Sequence, residues 1–241
     1  LILKGVSMIP PTLSPRLNKI SELINDSDVT ADIGTDHAYL PVSLVYSGKS
    51  KYVIASDIKT GPIKRAESTV KKYDMSDFIS LRQGAGLETI TPGDNVDTIV
   101  IAGMGGLVIS SILENSPEIL NQAKKIILQP MTMVPELRDY LYKGDFKNIK
   151  EYLAVEENKI YNIISAEPGK DKYEEPSPVE LFLGRSLINE RPEHFSSYVK
   201  RQENKVRKII DGLSKSSEPE NIEKIRYYKN LLSDIEKFII G

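Results

Sequence analysis

Cysteine is absent from the 241 residues. That excludes disulfides, thiolate nucleophiles and cysteine-based metal sites. Histidine is scarce, with only His37 and His194 present, too few for a multi-histidine centre, so no metal is expected. No apolar run reaches the roughly 18 residues of a membrane span. Residues 1–7 are mildly apolar but lack a small-residue cleavage site. They do not read as a secretory leader, and the expected compartment is the cytoplasm. Charge of one sign is not in excess either: the formal net charge is −2. Nothing global therefore advertises a polyanionic partner, although a local basic patch would suffice to hold one. Two phosphate-binding signatures are also missing. There is no Gly-x-x-x-x-Gly-Lys-Ser/Thr segment, and the first strand-to-helix turn carries one glycine, Gly34, where a dinucleotide site would carry Gly-x-Gly-x-x-Gly.

What is present is an alternation. Short apolar runs at 29–33, 51–57, 79–82, 97–102 and 125–129 read as strands, the last stopped by Pro130. Between them lie periodic segments at 40–46, 61–73, 107–113 and 134–142, which read as helices. An earlier helix begins with Ser14 as N-cap and Pro15 in its first turn, with Leu17, Ile20, Leu23 and Ile24 on one face. The alternation predicts a parallel sheet with right-handed crossovers. Segments 146–155 and 159–167 then read as a hairpin. A sheet that closes on an antiparallel strand points to the class I methyltransferase variant of the Rossmann-like α/β fold. A proline-bearing polar linker at 168–178 follows. Beyond it, segments 192–213 and 219–239 read as an antiparallel helical hairpin with a coiled-coil-like apolar stripe and a break at 214–218. The expected domains are 8–170, binding the cofactor, and 171–241, helical.

Ligands of open parallel sheets bind at the carboxyl ends of the strands, and the unusual residues cluster there. Val29-Thr-Ala-Asp-Ile-Gly-Thr-Asp-His-Ala-Tyr-Leu-Pro41 is strand, glycine turn and helix, a geometry expected to set backbone N–H groups beside a ligand. Asp32 can hold an amino group. Gly34 lets the backbone approach closely. Asp57 can accept two hydrogen bonds from ribose hydroxyls, and Ile58 offers an apolar face to adenine. Gln83-Gly84-Ala85-Gly86 and Gly103-Met104-Gly105-Gly106 end the third and fourth strands. Thr35, Gly84, Ala85, Gly103 and Met104 complete the expected cofactor set. A single glycine with carboxylates suits S-adenosylmethionine (SAM), which has no phosphates. On these residues alone, a class I methyltransferase for some other substrate, or an inert scaffold, stays open.

Five segments together resemble the bacterial tRNA (adenine-22-N1)-methyltransferase family, TrmK. They are Ala31-Asp-Ile-Gly-Thr-Asp-His-Ala-Tyr-Leu-Pro41, Ala55-Ser-Asp57, Ile101-Ala-Gly-Met-Gly-Gly106, Leu128-Gln-Pro130 and Ile160-Tyr-Asn-Ile-Ile-Ser-Ala-Glu-Pro-Gly169. The likeness runs from about residue 13 to the C-terminus. It implies a class I methyltransferase domain followed by a helical one, SAM as methyl donor with S-adenosylhomocysteine as product, and tRNA as partner. The implied reaction is methyl transfer to N1 of adenine 22. Two positions depart from the family pattern: Ala85 stands where an acid is common, and Met131 where asparagine follows Gln-Pro in many members. The resemblance makes Asp36 the expected acceptor near the target amine, with His37 beside it. Tyr39, Gly105 and Gln129 are expected on the substrate side. Lys200, Arg201, Lys205, Arg207 and Lys208 are the expected phosphate contacts, and a monomer is favoured.

Overall fold

The computed structural model describes residues 9–215 and 218–239. The leader at 1–7, the first residue of the expected cofactor domain and part of the break at 214–218 lie outside them. Seven strands form one sheet in the order β3-β2-β1-β4-β5-β7-β6. They are β1 (Ser27–Ile33), β2 (Ser50–Asp57), β3 (Ile79–Gln83), β4 (Thr98–Gly105), β5 (Lys125–Thr132), β6 (Phe146–Glu156) and β7 (Lys159–Pro168). The first five pair in parallel, and β7 runs antiparallel to both β5 and β6. The closing hairpin expected from the sequence is therefore present, with β7 inserted between β5 and β6.

The sheet is apolar on both faces because helices cover both. Ile99, Val100 and Ile101 of β4 are fully buried. Their side chains alternate between two cores: Ile99 and Ile101 pack with Ala31 and Ile33, while Val100 packs with Val53, Ala55 and Ile127. The covering helices are α1 (Pro15–Glu22), α2 (Tyr39–Tyr46), α3 (Thr60–Lys72), α4 (Gly106–Glu114), α5 (Pro117–Gln122) and α6 (Val134–Lys143). Strand order reverses between β1 and β4, and that switch point fixes where a ligand can sit.

Several expectations need correction. Strand β5 does not stop at Pro130; it continues to Thr132. The proline is accommodated because the pairing with β4 is irregular there, with a register shift at Met104 opposite Pro130. The glycine run 103–106 is not a simple turn, since β4 extends through Gly105 before α4 begins. Ser14 is the N-cap residue of α1, but its side chain makes no capping bond. Helix α5 has no counterpart in the sequence reading. Beyond the linker the described residues form four helices rather than two: α7 (Pro178–Leu183), α8 (Arg185–Glu190), α9 (Phe195–Leu213) and α10 (Pro219–Glu236).

These helices share a core with the sheet, since Leu153 of β6 packs with Leu183, Tyr198, Val206 and Leu231. A buried polar node pins them. Arg138 of α6 pairs with Glu151 of β6 at 2.7 Å. It also donates to the carbonyls of Leu181 and Phe182, both at 2.8 Å, at the end of α7. Asn162 and the Tyr198 hydroxyl complete its shell.

Candidate active site

Gly34 follows β1 at the switch point with φ +85°, a left-handed backbone that glycine adopts without strain. A Cβ there would lie 2.5 Å from the Met104 methyl, so the absence of a side chain also lets β4 approach β1. The Gly34 and Thr35 N–H groups both donate to the Ser56 carbonyl of β2 at 2.8 Å. These two backbone donors, expected to face a ligand, are thus taken by the sheet. They lock the turn; they do not line it.

Beyond this turn lies a cleft of about 290 Å³. Asp32, Gly34, Asp36, His37, Tyr39 and Gly103 line it, with Arg16 of α1 on one wall. Asp32 is 6% exposed. Burial pushes its carboxyl up to about 6, moderated by a hydrogen bond from Thr35 and reinforced by the nearby Asp57 charge. A buried carboxylate held so close to neutrality is under-solvated, and a cationic ligand would relieve it. Asp57 lies at the end of β2, one oxygen accepting the Lys59 N–H at 2.8 Å. Ile58 next to it is 62% exposed, an apolar side chain left uncovered. Gly84 donates its N–H to the Asp57 carbonyl at 3.1 Å, which brings the 83–86 turn against that residue. Ala85 is partly buried in the same turn.

The other end of the cleft is polar and open. Asp36 is exposed. One of its oxygens takes Nε of Arg65, on α3, at 3.1 Å, and Nη2 of the same guanidinium reaches that oxygen too. His37 Nε2 lies 3.4 Å from the other oxygen. The His37 and Tyr39 rings stack, with centroids 5.2 Å apart and planes 7° apart. Between them Ala38 has φ +55°, a left-handed conformation costing an L-residue roughly 1–2 kcal/mol. Local strain of this kind collects at functional sites. Tyr39 is exposed, so its ring is free of the core.

Gln129, expected on the substrate side, does not itself line the cleft. It is 0% exposed, and its Oε1 accepts both Arg16 Nη1 at 2.6 Å and the Gly103 N–H at 3.2 Å. It supports the Gly103 loop from behind. Met131, two residues on, is exposed. Gly105 and Gly106 differ in kind. A Cβ at Gly106 would fall 2.0 Å from the Met133 carbonyl oxygen, so that glycine exists for helix packing. A Cβ at Gly105 would lie 3.1 Å from the Thr132 hydroxyl. Arg16 and Arg65 are the site residues that the sequence reading missed. Neither belongs to a motif: Arg16 lines the cleft from α1, and Arg65 binds Asp36 from α3.

The basic group on α9 divides. Glu203 is 4% exposed and binds Lys200 at 2.7 Å and Arg207 at 2.8 Å. Arg207 also reaches Glu236 of α10. Those two cations, expected to meet phosphate, are exposed but each is ion-paired within the helical unit. Arg201, Lys205 and Lys208 are exposed. Among the described residues, no cluster of three or more His, Asp or Glu could hold a metal ion. No described helix is long and apolar enough to cross a membrane.

Comparison with known proteins agrees with this geometry. The profile of the TrmK family, described as tRNA (adenine(22)-N(1))-methyltransferase, matches residues 30–237. The tRNA (adenine(22)-N(1))-methyltransferase of Bacillus subtilis is 42% identical over 157 residues, 65% of this chain and 66% of that one. The crystal structure of the B. subtilis m1A22 tRNA methyltransferase TrmK superposes with a TM-score of 0.83 at 32% identity, covering 95% of this chain and 99% of that one. TrmK of M. capricolum, in complex with the cofactor product S-adenosylhomocysteine, superposes with a TM-score of 0.75 at 30% identity, covering 95% and 98%. The sheet order, the buried carboxylate at the switch point and these matches lead to one assignment: the chain belongs to the TrmK family of SAM-dependent tRNA (adenine(22)-N(1))-methyltransferases.

Proposed function

We propose that this chain methylates N1 of adenine 22 with the cleft at the β1–β4 switch point as its reaction chamber. The observation that carries the assignment of roles is the placement, in one cleft, of a buried carboxylate, Asp32, and an exposed one, Asp36. Asp32 holds the ammonium of SAM, with Thr35 beside it. Asp57 accepts the ribose hydroxyls. Ile58 covers the adenine ring, with Gly84 and Ala85 at its edge. Gly34, Gly103 and Met104 shape the floor. When bound, SAM supplies an electrophilic methyl to the lone pair of adenine N1, and the methylated ring stays cationic until a proton leaves its amino group.

The open end serves the target base. Asp36 accepts hydrogen bonds from the adenine amino group and offsets the developing positive charge. Arg65 and His37 fix the direction of that carboxylate, which matters because alignment is most of what such a transfer requires. Tyr39, already stacked on His37, offers a face for the extruded base, since a base inside tRNA structure must leave its stack to be reached. Gly105 keeps the β4 end low enough for a flat ring. Residues 8–170 form the catalytic domain and 171–241 the helical one. On this reading the chain works in the cytoplasm, and as a monomer.

The test is methyl transfer from SAM to an unmodified tRNA transcript, read by nucleoside analysis. One 1-methyladenosine per tRNA is expected, abolished in an A22→G transcript. Methyl on any other nucleoside would overturn the reading.

A further inference from the structure

The division of bases on α9 leaves a stripe. Arg201, Lys205 and Lys208 are spaced by four and three residues, so they share one helix face. Arg201 and Lys205 line a groove of about 380 Å³ between α9, the end of β5 at Met131 and the start of β7 at Lys159 and Tyr161. The same two residues and Lys208 line a further hollow of about 470 Å³ along α9. Neither the groove nor the hollow has a carboxylate among its lining residues. The stripe is held in register with the sheet. Arg201 donates to the Asn158 carbonyl in the β6–β7 turn, and the Lys205 ammonium sits 5.7 Å from the centre of the Phe182 ring. At the inner end of the groove, the Arg16 guanidinium lies 5.6 Å from the centre of the Tyr161 ring. Arg16 is also a wall of the cleft, so groove and cleft share a partition made of those two side chains.

We propose that this groove seats the phosphodiester backbone adjoining the extruded nucleotide, with Lys159, Arg201, Lys205 and Lys208 as its phosphate contacts. The proposal rests on the tRNA methyltransferase reading above and narrows it. A base drawn into the cleft brings its neighbouring phosphates to the cleft's rim, and the cationic channel leaving that rim follows the stripe. Lys200 and Arg207, turned towards Glu203, take no part. The cations therefore do not act as one diffuse patch; the channel has a direction, from the partition outwards along α9.

The experiment measures affinity for an unmodified tRNA transcript as salt is raised. Each lost phosphate contact lowers the slope of log affinity against log salt by about 0.7 to 0.9. The variant Lys159→Gln, Lys205→Gln, Lys208→Gln is expected to lower the slope by about 2 to 3, with SAM affinity unchanged by calorimetry. Lys200→Gln with Arg207→Gln is the contrast, and its slope is expected to equal that of the parent. If the triple variant does not fold, Lys205→Gln and Lys208→Gln singly are each expected to lower the slope by about 0.7 to 0.9. An unchanged slope in these variants, or an equal drop in the Lys200 and Arg207 pair, would overturn the proposal. Failure of the parent chain to methylate A22 would instead overturn the function on which it rests.

Discussion

Replacing Asp32 by asparagine is expected to stabilise the ligand-free protein while weakening SAM binding. The carboxyl is held at about 6 by burial, against about 3.9 for an ordinary aspartate. The folded form thus binds more protons than the unfolded chain between about pH 4 and pH 6. Its stability falls as pH rises through that window and is flat above it. The shift corresponds to roughly 3 kcal/mol at neutral pH, at about 1.4 kcal/mol per unit. Asparagine removes the charge and so recovers up to that amount. At about 2–4 °C per kcal/mol for a chain of this size, Tm is expected to rise by several degrees at pH 7.5.

The cost falls on ligand. A hydrogen bond to a charged partner contributes about 1.5–3 kcal/mol, so affinity is expected to drop by roughly 10- to 150-fold. In the parent protein the same group makes binding pH-dependent. With a carboxyl at about 6, roughly half of it is ionised at pH 6 and about a tenth at pH 5. The apparent Kd is therefore expected to double at pH 6 and to rise about tenfold at pH 5 relative to pH 7.5. Above about pH 8 affinity falls again, as the α-amino group of SAM loses its proton. Calorimetry across pH 5–8.5 and a melting curve of the ligand-free variant provide both readings. A flat affinity from pH 5 to pH 7, or a lowered Tm in the variant, would refute the reasoning.

Four other substitutions separate binding from folding. Gly34→Ala places a side chain at φ +85° against the flexible end of Met104. It is expected to cost roughly 1–2 kcal/mol of stability and to weaken SAM binding in a protein that still folds. Gly106→Ala meets the Met133 backbone and is expected to give little soluble protein, read by expression and circular dichroism. Ala85→Asp puts an acid in the turn beside Asp57 and Ile58. It is expected to tighten SAM binding by about tenfold, the equivalent of one charge-assisted hydrogen bond, measured by calorimetry. Arg138→Met leaves Glu151 buried without its partner. It is expected to destabilise the chain by about 3–5 kcal/mol in denaturant unfolding.

The fold was legible because its signals are local. Runs such as Ile99 to Ile101 announce a strand covered on both faces, and the hairpin at β6–β7 distinguishes this sheet from the all-parallel dinucleotide fold. The strand ends that carry the proposed cofactor residues were legible for the same reason: Asp32, Gly34, Asp57 and the glycine turns stand where the pattern locates them. What escaped were pairings made by tertiary structure. Arg16 meets Gln129 across 113 positions, and Arg65 reaches Asp36 from a different helix. Nothing in the first turn of α1 marks Arg16 as special. A signal did exist for the Arg138 node. Glu151 shares strand parity with the inward Leu153, and Arg138 follows Leu137 directly on the buried side of α6. Charged residues at inward positions on neighbouring elements are expected to find each other. Counting charges on α9 overestimated its free cations, because the count could not show that Glu203 is buried beside two of them.

The turn after β1 carries the most instructive correction. Strand, glycine and helix suggest backbone N–H groups offered to a ligand, as in phosphate-binding sites. Here the N–H groups of Gly34 and Thr35 both end on Ser56. What remains available is acceptor-rich: the Asp32 carboxylate in the cleft and the Asp57 carboxylate beside it. A turn whose first two backbone donors are committed elsewhere offers less to a pyrophosphate, while carboxylates suit an ammonium and hydroxyls. Selection for a sulfonium nucleoside over a dinucleotide therefore does not depend on the missing glycines alone. It is also favoured by the hydrogen bonds of the turn, in which Ser56 of β2 takes the Gly34 and Thr35 N–H groups while the Asp32 carboxylate lines the cleft.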